Sequence, residues 1–512
     1  MNFDYIVVQA GGRGSRLEKQ TRNKPKAMCT VDNFPIIFHL FNRFPDKRFI
    51  IIADYKADVL ESYLETFAKV RYLVVRADGE GNCSGISDAI SFIPESKSFM
   101  LIWSDLVLGE EDLFGDLDEG QYVGLSGSFE CRWSYKNNHF LEEKSTKYGV
   151  AGLFLFEGKE ALQEVPDDGE FVEWLQQKDI SFKTVWLKGT REFGTLADLK
   201  QSKTRVRSFN RLSIEVDRVV KEPVNAKGEL LAERELRWYR KVREFGFKNI
   251  PGIYQEKPLI MERIQGDNPH HIELSASEKR IVLDRIVEAL EQLHSNCHRE
   301  TDQFSLMEAY YGKTMNRLNQ VRHLIPYADE KMIEINGKLC RNIFFFQRDF
   351  KKLVSDRLSN TSFTLIHGDN TFSNTLVDSN LNVTFIDPRG YFGYTELYGD
   401  IRYDWAKLYY SVYGSYDAYN HGRFDLDMDH GKVTLEVQES GWEELSDYLL
   451  ERTSAGQEAN VQLIHAILWL SLTTYIWENY DAICGAFYRG LYLLNEFWDI
   501  STDLKTLHEE TI

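Results

Sequence analysis

Four short apolar runs near the start of the chain have the length and composition of buried strands. These runs are Tyr5–Val8, Phe49–Ala53, Tyr72–Val75 and Phe99–Trp103. Between them lie two segments whose apolar residues recur with helical spacing, at 36–44 and 58–67. Because strands that alternate with helices are typical of a parallel sheet covered by helices, we predict an α/β fold for this region.

The pattern changes near residue 204. A polar and charged stretch, 200–205, separates the alternating region from a second region in which strand signals come first and helix signals follow. We therefore place a domain boundary there, between a first domain of residues 1–204 and a second domain of residues 205–512.

The second domain opens with a small group of strand signals. Strand-like runs at 212–221 and 258–264 flank a helix-like segment at 230–245. These elements predict a sheet lobe over about residues 205–265.

The rest of the second domain, about residues 266–512, is mostly helical. Glu278–His294 has the pattern of one amphipathic helix, and 461–498 contains at least one more. Short strand signals return at Phe363–Ile366, Asn374–Val377 and Val383–Ile386. A sheet lobe followed by a helical lobe predicts a two-lobed α+β domain.

Composition and charge narrow the classes of protein. Apolar residues make up 43% and charged residues 27% of the 512 residues, which argues against a disordered chain. The net charge of −18 disfavours nucleic-acid binding, which needs a basic surface. The most apolar stretch, Leu463–Trp477, is interrupted by His465 and too short to span a bilayer, so we predict a buried helix and no membrane insertion.

The cysteines indicate a reducing compartment. The six cysteines are widely scattered, with no C-x-x-C pair and no zinc-ligand spacing. The N-terminus begins with a strand-like run and lacks the pattern of a secretory signal. We therefore expect a cytoplasmic protein, and a homo-oligomer stays open.

A glycine-rich loop with two arginines follows the first predicted strand. The loop reads Gly11, Gly12, Arg13, Gly14, Ser15, Arg16 and Leu17. Glycines let backbone N–H groups approach a phosphate closely, and the arginines add positive charge. Lys26 follows ten residues after Arg16. The loop is consistent with a triphosphate site, although a tight turn between a strand and a helix would also account for it.

Two other phosphate-binding motifs do not match. A Walker loop needs Gly-Lys-Ser/Thr after four spacer residues, and this sequence is absent from the loop. A dinucleotide fingerprint needs a third glycine, where Leu17 stands, and an acidic residue about 20 positions further on. The candidate acid, Asp54, is too distant, so a dehydrogenase is disfavoured.

The loop, the Lys24-Pro25-Lys26 segment and Asp105 at the end of a strand resemble the nucleotidyltransferases that activate sugar 1-phosphates and phosphocholine. The resemblance covers about residues 3–200 and implies a Rossmann-like domain. It also implies that the loop binds the NTP phosphates, that Arg16 and Lys26 act in catalysis, and that Asp105 binds Mg²⁺. Cations and a metal suit attack of a phosphate on the α-phosphorus, because they spread its charge.

Three further matches to this family are weaker. Gly81 and Asn82 lie in a glycine-rich stretch at the place of the base-reading loop. Lys144 resembles the lysine that meets the acceptor phosphate, although it could be a solvated surface residue. Glu192 stands where the family has an aspartate that ligates a second metal, and it could equally be a loop cap. Gln9 also departs from the family's usual small or apolar residue.

A second candidate site combines His367-Gly368-Asp369 with Asn374 and Asp387, and apolar strands flank both pieces. Phosphoryl transfer from ATP needs a carboxylate to orient or deprotonate a hydroxyl, and oxygen ligands to hold Mg²⁺ beside the phosphates. Asp369 supplies the first group, and Asn374 and Asp387 supply the second. The alternative is a structural turn.

These residues resemble the aminoglycoside phosphotransferase and choline kinase group over about 205–512. The resemblance implies a kinase-like fold, ATP and Mg²⁺. It implies that Lys221 binds the α- and β-phosphates and that Glu235 is its helix partner, with Glu233 as the alternative. Met261 and Glu262 match the hinge that pairs with adenine.

Together the two sites predict a bifunctional enzyme. A kinase would phosphorylate a small alcohol with ATP, and a nucleotidyltransferase would couple this phosphate ester to a second NTP, CTP being favoured, with release of pyrophosphate. The product would be an activated precursor for surface glycan decoration. We expect an amino alcohol such as choline, because aromatic residues crowd the last 110 positions and a ring box binds quaternary ammonium groups.

Several alternatives stay open. The aromatic residues could simply form core, and a sugar or polyol kinase making an NDP-sugar shares the same motifs. A regulatory or scaffolding protein with one inactive domain, or two unrelated activities in one chain, would also fit the domain order.

Overall fold

A computed structural model describes residues 3–112, 114, 117–201, 210–359 and 361–498. The chain forms two compact units. Unit 1 comprises Met1–Arg205 and Trp477–Tyr480, and unit 2 comprises Val206–Ile476 and Asp481–Ile512. The predicted boundary near residue 204 lies outside the described residues. The sequence did not anticipate that Trp477–Tyr480 belongs to unit 1.

Unit 1 has a mixed α/β fold. Its strands are β1 (Tyr5–Gln9), β2 (Thr30–Val31), β3 (Phe34–Pro35), β4 (Arg48–Ala53), β5 (Arg71–Arg76), β6 (Phe99–Trp103), β7 (Leu106–Val107), β8 (Tyr122–Ser126), β9 (Ser134–Lys136), β10 (His139–Leu141), β11 (Gly149–Phe156), β12 (Lys183–Leu187) and β13 (Arg191–Glu192). Its helices are α1 (Ile36–Arg43), α2 (Ala57–Phe67), α3 (Ile86–Ser91), α4 (Phe171–Gln176) and α5 (Leu196–Gln201).

The core of the unit 1 sheet is parallel. Strand β1 pairs in parallel with β4 and β6, and β5 pairs in parallel with β4. Strand β11 extends the sheet by antiparallel pairing with β6. The predicted α/β alternation is confirmed, since all four predicted strands are present and α1 and α2 lie where helices were expected. The carboxyl ends of β1 and β6 are therefore neighbours, and the glycine-rich loop and Asp105 follow these two strands.

The remaining strands belong to unit 2. They are β14 (Asn210–Ile214), β15 (Arg218–Pro223), β16 (Ile253–Gln255), β17 (Leu259–Glu262), β18 (Gly266–Asp267), β19 (Met332–Ile335), β20 (Lys338–Arg341), β21 (Phe363–Leu365), β22 (Thr375–Asp378), β23 (Val383–Phe385), β24 (Tyr391–Phe392), β25 (Thr395–Glu396), β26 (Tyr398–Asp400), β27 (Phe424–Asp429) and β28 (Lys432–Val437).

The remaining helices are α6 (Ala226–Glu244), α7 (Ala276–His294), α8 (Gln303–Met307), α9 (Lys313–Val321), α10 (Gln347–Leu358), α11 (Ile401–Val412), α12 (Tyr416–Asn420), α13 (Ser446–Thr453), α14 (Glu458–Leu472) and α15 (Tyr480–Leu494). Helix α7 begins with a capping box, in which Ser275 and Glu278 satisfy each other's backbone N–H groups. The helix was predicted to begin at Glu278, and this cap begins it two residues earlier, at Ala276.

Unit 2 opens with an antiparallel sheet in the order β14-β15-β17-β16, next to α6. The sequence predicted a single strand over 212–221, and this prediction is wrong. The chain turns between β14 and β15, where Glu215 donates its backbone N–H to Arg218 over 2.9 Å and Val216 is 85% exposed. The polar residues on either side of Val216 favour this solvent-exposed turn.

The apolar segment near the C-terminus forms the buried helix α14, which ends at Leu472 rather than at Trp477 as predicted. His465 is accommodated in this helix because its Nε2 accepts a hydrogen bond of 3.0 Å from the indole of Trp469. Among the described residues, no helix combines the length and the apolar character needed to cross a membrane.

Candidate functional site

The glycine-rich loop of unit 1 is shaped by close approaches of its backbone. A Cβ on Gly11 would lie 2.7 Å from the Cβ of Asp54, and a Cβ on Gly14 would lie 3.1 Å from the Cβ of Lys26. Gly14 also has a φ of 67°, which favours glycine. At Gly12 a Cβ would have no described atom within 4 Å, so this part of the loop faces open space. The loop therefore has room for a ligand beside its backbone.

A small apolar core packs the loop against β7 and the residue that follows β13. Leu17, in the place of the third glycine of a dinucleotide fingerprint, is fully buried and packs in one cluster with Val107 and Phe193. The backbone N–H of Lys26 donates to the carbonyl of Gly12 over 3.3 Å. These contacts fix the loop relative to the segment that carries Glu192.

Asp105 and Glu192 are brought together by two short strands. Strand β13 pairs with β7, which places Glu192 opposite Leu106, and the backbone N–H of Phe193 donates to the carbonyl of Asp105 over 2.9 Å. The ammonium of Lys26 lies 2.5 Å from Oδ2 of Asp105. Oδ1 of Asp105 is buried and has no hydrogen-bond partner among the described residues. A buried oxygen of this kind needs a ligand to satisfy it.

The electrostatics of this pair fit a divalent cation. The pKa of Glu192 is raised to about 7, chiefly by burial and also by the nearby Asp105, while Lys26 and Arg16 act in the opposite direction. Two neighbouring carboxylates, one with an unsatisfied oxygen, form the oxygen-rich donor set that Mg²⁺ prefers. The structure brings Glu192 close to Asp105, and the assignment of Glu192 as a second metal ligand stays a prediction.

Arg16 lies beside Glu192, whereas Arg13 lies elsewhere on the loop. A Cβ built on Gly194 would be 3.4 Å from the guanidinium of Arg16 and 3.1 Å from a carboxylate oxygen of Glu192. Arg13 stacks over the ring of Tyr55, with 5.3 Å from its guanidinium carbon to the ring centre. Ser15 begins the 3₁₀ helix that follows the loop.

The stretch with Gly81 and Asn82 packs against the segment before α4. A Cβ on Gly81 would lie 2.4 Å from the carbonyl oxygen of Gly169, and the side-chain oxygen of Asn82 accepts the backbone N–H of Phe171 over 2.5 Å. The side-chain oxygen of Asn82 thus stabilises the loop itself. Gln9 donates its side-chain amide to the carbonyl of Asn82, and its own Oε1 is buried without a partner among the described residues.

Lys144 is exposed and forms an ion pair of 2.7 Å with Glu130. The pKa of the Cys131 thiol is raised to about 12, chiefly by burial and also by Glu192, Asp105 and Glu130. The assignment of Lys144 to the acceptor phosphate stays a prediction.

The second candidate site is built on the loop after β21. The buried carboxylate of Asp404 accepts the backbone N–H groups of His367, at 2.8 Å, and of Gly368, at 2.7 Å. The same carboxylate lies 2.9 Å from Nε2 of His294. Asp404 thus holds the backbone of this loop in place.

Asp369 and Asn374 come together in this loop. The side-chain amide of Asn374 donates to the carbonyl of Asp369 over 2.8 Å and to its Oδ2 over 3.1 Å. The ammonium of Lys407 lies 2.8 Å from Oδ1 of Asp369. Burial opposes ionisation of Asp369, but the charge of Lys407 outweighs it and keeps the pKa of the carboxyl below its usual value. Asp369 is therefore ionised at neutral pH.

Lys221 lies between two carboxylates. Its ammonium is 2.6 Å from Oε2 of Glu235 and 2.7 Å from Oδ1 of Asp387. Burial disfavours the charged lysine, but Asp387 and Glu235 outweigh this and raise its pKa. The alternative partner, Glu233, is exposed and lies 3.6 Å from Arg237 instead. The structure thus selects Glu235 from the two candidates.

The two residues of the expected hinge lie at the end of β17. Met261 is buried opposite Val219 in the sheet, and the exposed Glu262 accepts the backbone N–H of Gly252 over 3.0 Å through its carboxylate. The chain then leaves this sheet and enters β18, which pairs with β22.

The sequence analysis missed a cluster of cations beside Asp369. Lys313 and Arg389 line a cavity of about 90 Å³ together with Tyr391 and Tyr403, and the guanidinium of Arg389 donates to both tyrosine hydroxyls, at 3.0 and 2.6 Å. Burial lowers the pKa of Lys313 well below its usual value, and the charges of Arg389, Arg317 and Lys407 lower it further.

Positive charge exceeds negative charge in this cluster. Within the described ranges, Lys313, Arg317 and Arg389 form no close ion pair with a carboxylate, whereas Lys407 pairs with Asp369. Glu308 lines the same cavity and acts on Lys313, and Asp369 acts on Arg389, from greater distances. Lys313 and Arg317 are four residues apart on α9, and this basic spacing on one helix face was the signal that the sequence offered.

The aromatic residues of the C-terminal region mostly pack against one another. Trp469 is fully buried, and its ring contacts those of Tyr410 and Tyr419, with 4.8 and 4.9 Å between ring centres. Trp405 is buried against His294. These contacts support the interpretation of these rings as core.

No protein-family model matches the chain. The N-terminal region is similar to curated nucleotidyltransferases. It is 27% identical over 104 residues to the UTP–glucose-1-phosphate uridylyltransferase AglF of Haloferax volcanii, which is 19% of this chain and 42% of that protein. It is 36% identical over 64 residues to the glucose-1-phosphate cytidylyltransferase of Salmonella typhimurium, 12% of this chain and 25% of that protein.

The chain thus spans less than half the length of these curated relatives. Among solved structures, HddC from Yersinia pseudotuberculosis has a TM-score of 0.34 and 19% identity, over 39% of this chain and 98% of that one. The similarity to nucleotidyltransferases lies in the N-terminal region.

Proposed function

We propose that unit 1 transfers a nucleotidyl group from an NTP to a small phosphate ester and releases pyrophosphate. The observation that carries this proposal is the juxtaposition of Asp105 and Glu192 with Lys26 and a glycine-rich loop that has open space at Gly12. The similarity of the N-terminal region to nucleotidyltransferases supports it.

In this proposal the loop backbone and Arg16 hold the triphosphate, and Lys26 balances the charge that builds up as the acceptor phosphate attacks the α-phosphorus. The new bond joins an acceptor phosphate oxygen to the α-phosphorus, and the bond from the α-phosphorus to the bridging oxygen breaks. Mg²⁺ held by Asp105 and Glu192 would add positive charge beside these phosphates.

We further propose that unit 2 is a small-molecule kinase that uses ATP. The observation that carries this second activity is the assembly of Lys221, Glu235 and Asp387 in one chain of ion pairs, with Asp369 and Asn374 in direct contact nearby. Lys221 would bind the phosphates, and Asn374 and Asp387 would hold Mg²⁺.

Asp369 would accept the proton of the acceptor hydroxyl as its oxygen bonds to the γ-phosphorus. The bond between the γ-phosphorus and the β,γ-bridging oxygen breaks, and ADP leaves. The ionised state of Asp369 suits this role. An inactive regulatory domain is disfavoured because the carboxylates of both sites are present and oriented by their neighbours.

The two activities would act in sequence, so that the phosphate ester made in unit 2 becomes the acceptor in unit 1. CTP is the favoured second nucleotide, and the relatives include both a cytidylyltransferase and a uridylyltransferase. The product would be an activated building block for surface glycans. Two unrelated activities in one chain are the competing hypothesis.

The cations beside Asp369 bear on the acceptor. Around Lys313, the cations Arg317, Arg389 and Lys407 outnumber the carboxylates of Glu308 and Asp369, and this excess of positive charge favours an anion over an amino alcohol as the partner. We therefore place a hydroxylated acceptor with a carboxylate or phosphate group, such as a sugar acid, ahead of choline or ethanolamine. The aromatic residues do not offset this argument, because they mostly pack as core.

The test measures two products separately, ADP from ATP and pyrophosphate from CTP. Matched acceptors that differ in charge, glycerate against glycerol and glucuronate against glucose, would be compared with choline and ethanolamine. We expect ADP release with an anionic member of a pair, and pyrophosphate release after the phosphorylated product meets CTP. Preferred use of choline would refute the anionic acceptor and leave the kinase proposal intact.

Variants then assign each activity to its unit. Asp369→Asn is expected to stop ADP release and spare pyrophosphate release from a supplied phosphate ester, and Asp105→Asn is expected to do the reverse. Lys313→Met should raise KM for the anionic acceptor, whereas Lys352→Met, at an exposed position on α10, should not. Loss of both activities in either folded aspartate variant would contradict the two-site proposal.

A further inference from the structure

Three histidines of unit 2 form a cluster that neither proposed reaction uses. One ligand atom from each of His270, His271 and His421 lies within 4.8 Å of the others. The ring centres of His270 and His271 are 4.1 Å apart, and that of His421 lies 5.5 Å from the first and 5.8 Å from the second. Imidazoles gathered this closely are the usual donors for a transition-metal ion.

His270 gives the strongest indication of a missing ligand. Its side chain is 2% exposed, and neither ring nitrogen has a hydrogen-bond partner among the described residues. A buried imidazole with two unsatisfied nitrogens is costly unless something binds it.

Asp417 adds a carboxylate to the cluster. Its Oδ2 is buried and has no partner in the described part of the chain, and its Oδ1 lies 4.0 Å from Nδ1 of His270. The same Oδ1 accepts the backbone N–H of Ser373 over 2.9 Å. Ser373 directly precedes Asn374, so this cluster is connected to the loop that carries Asn374.

The two exposed histidines are oriented by oxygen atoms. Nδ1 of His271 lies 3.1 Å from a carboxylate oxygen of Asp267, and Nδ1 of His421 lies 2.6 Å from the backbone carbonyl of Asp417. A histidine whose Nδ1–H donates to a carboxylate or a carbonyl coordinates metal through Nε2. This arrangement of outer partners is typical of metal-ligating histidines.

We propose that His270, His271 and His421, with the carboxylate of Asp417, bind one zinc ion. Zinc suits a set of imidazole and carboxylate ligands in tetrahedral geometry. The ion would join the segment after β18 to the turn after α12 and, through Asp417 and Ser373, would support the loop that holds Asn374. The site does not depend on the proposed reactions, because its residues are distinct from both sets of site residues.

The test uses the full chain without a histidine tag. After treatment with a chelator and dialysis, zinc is titrated calorimetrically in excess Mg²⁺, which occupies the oxygen-rich sites, and the bound metal is counted by elemental analysis. We expect one zinc per chain. His271→Ala and His421→Ala are expected to remove this binding, and His298→Ala, at an exposed position outside the cluster, is expected to leave it unchanged.

A second variant tests the outer partner. Asp267→Asn keeps the shape of the side chain but weakens the orientation of His271, so zinc affinity should fall by about 10–100-fold. Cobalt in place of zinc would report tetrahedral coordination by its visible absorption. Failure of the wild-type chain to retain zinc, or equal zinc affinity in wild type and both histidine variants, would overturn the proposal, whatever the fate of the two activities.

Discussion

The ammonium of Lys221 lies 2.7 Å from the carboxylate of Asp387, although the two residues are 166 positions apart in the chain. The lysine therefore neutralises the carboxylate that the proposed kinase reaction assigns to Mg²⁺. A complex of Mg²⁺ and ATP would replace this ion pair by contacts between Lys221 and phosphate and between Asp387 and metal. The ion pair keeps both side chains in position for these contacts.

Lys221→Met should weaken the use of ATP and of no other nucleotide. Methionine keeps much of the side-chain volume but lacks the charge, so KM for ATP in the ADP-forming reaction should rise at least about tenfold, which corresponds to about 1.4 kcal/mol. Pyrophosphate release from CTP should not change, because Lys221 belongs to unit 2. Steady-state kinetics of the two half-reactions measures both effects.

Lys352→Met removes an exposed lysine of the same unit and serves as the control. An unchanged KM for ATP in Lys221→Met would show that the ion pair with Glu235 and Asp387 is only structural.

Sequence spacing predicted contacts of some site residues but not of others. Asp369 and Asn374 are five residues apart on one loop, and their contact follows directly from that spacing. Asp105 and Glu192 were both named, but their proximity depends on the pairing of β7 with β13, which no local pattern reveals. Long-range pairing of this kind is decided by the whole fold.

The basic residues beside Asp369 show more clearly what the sequence could not predict. Lys313, Arg389 and Lys407 lie on α9, on the loop after β23 and on α11, and each looks like an ordinary basic residue in its own segment. They form a cluster only because the fold brings their three segments together beside Asp369. The turn at 215–217 was missed for a different reason, since Val216 continues an apolar pattern while its side chain is exposed.

Two glycines of the unit 1 loop should respond differently to alanine. Gly14→Ala forces a non-glycine residue into a φ of 67° and places its Cβ 3.1 Å from Lys26, so the free energy of unfolding should fall by roughly 1–2 kcal/mol. Gly12→Ala meets no described atom within 4 Å and should leave stability nearly unchanged. Urea denaturation of both variants measures the difference.

The same pair separates stability from nucleotide binding. Because the open side of Gly12 is where the proposal puts phosphate, Gly12→Ala should raise KM for CTP in spite of its normal stability. An unchanged KM for CTP in Gly12→Ala would show that the phosphates do not bind beside Gly12.

Asp404→Ala should destabilise the loop of unit 2 that carries Asp369. It removes the acceptor for two buried backbone N–H groups and the partner of His294. Each unsatisfied buried donor costs about 1–3 kcal/mol, so a loss of about 3 kcal/mol in the free energy of unfolding is expected. The rate of ADP release should fall as well, because this loop carries Asp369. Asp429→Ala, at an exposed position in β27, should change neither quantity.

Glu192 should make the metal dependence of unit 1 sensitive to pH. With a pKa of about 7, the carboxyl is largely protonated below neutral pH, and a proton then competes with Mg²⁺. The apparent Mg²⁺ affinity in pyrophosphate release should rise by up to about tenfold per pH unit below pH 7 and level off above it. Glu192→Gln should lower this affinity and abolish the dependence, and Glu164→Gln, at an exposed ion pair with Lys178, should preserve it.

In the absence of Mg²⁺, Glu192 should also make the free energy of unfolding depend on pH. Folding raises the pKa of Glu192 from 4.5 to about 7, so the unfolded chain releases this proton first as pH rises. Between these two values the free energy of unfolding should therefore fall with increasing pH, by up to about 1.4 kcal/mol per pH unit from this group. Denaturation at several pH values, with Glu192→Gln as the reference, measures the slope, and equal slopes in both proteins would show that Glu192 is not buried against Asp105.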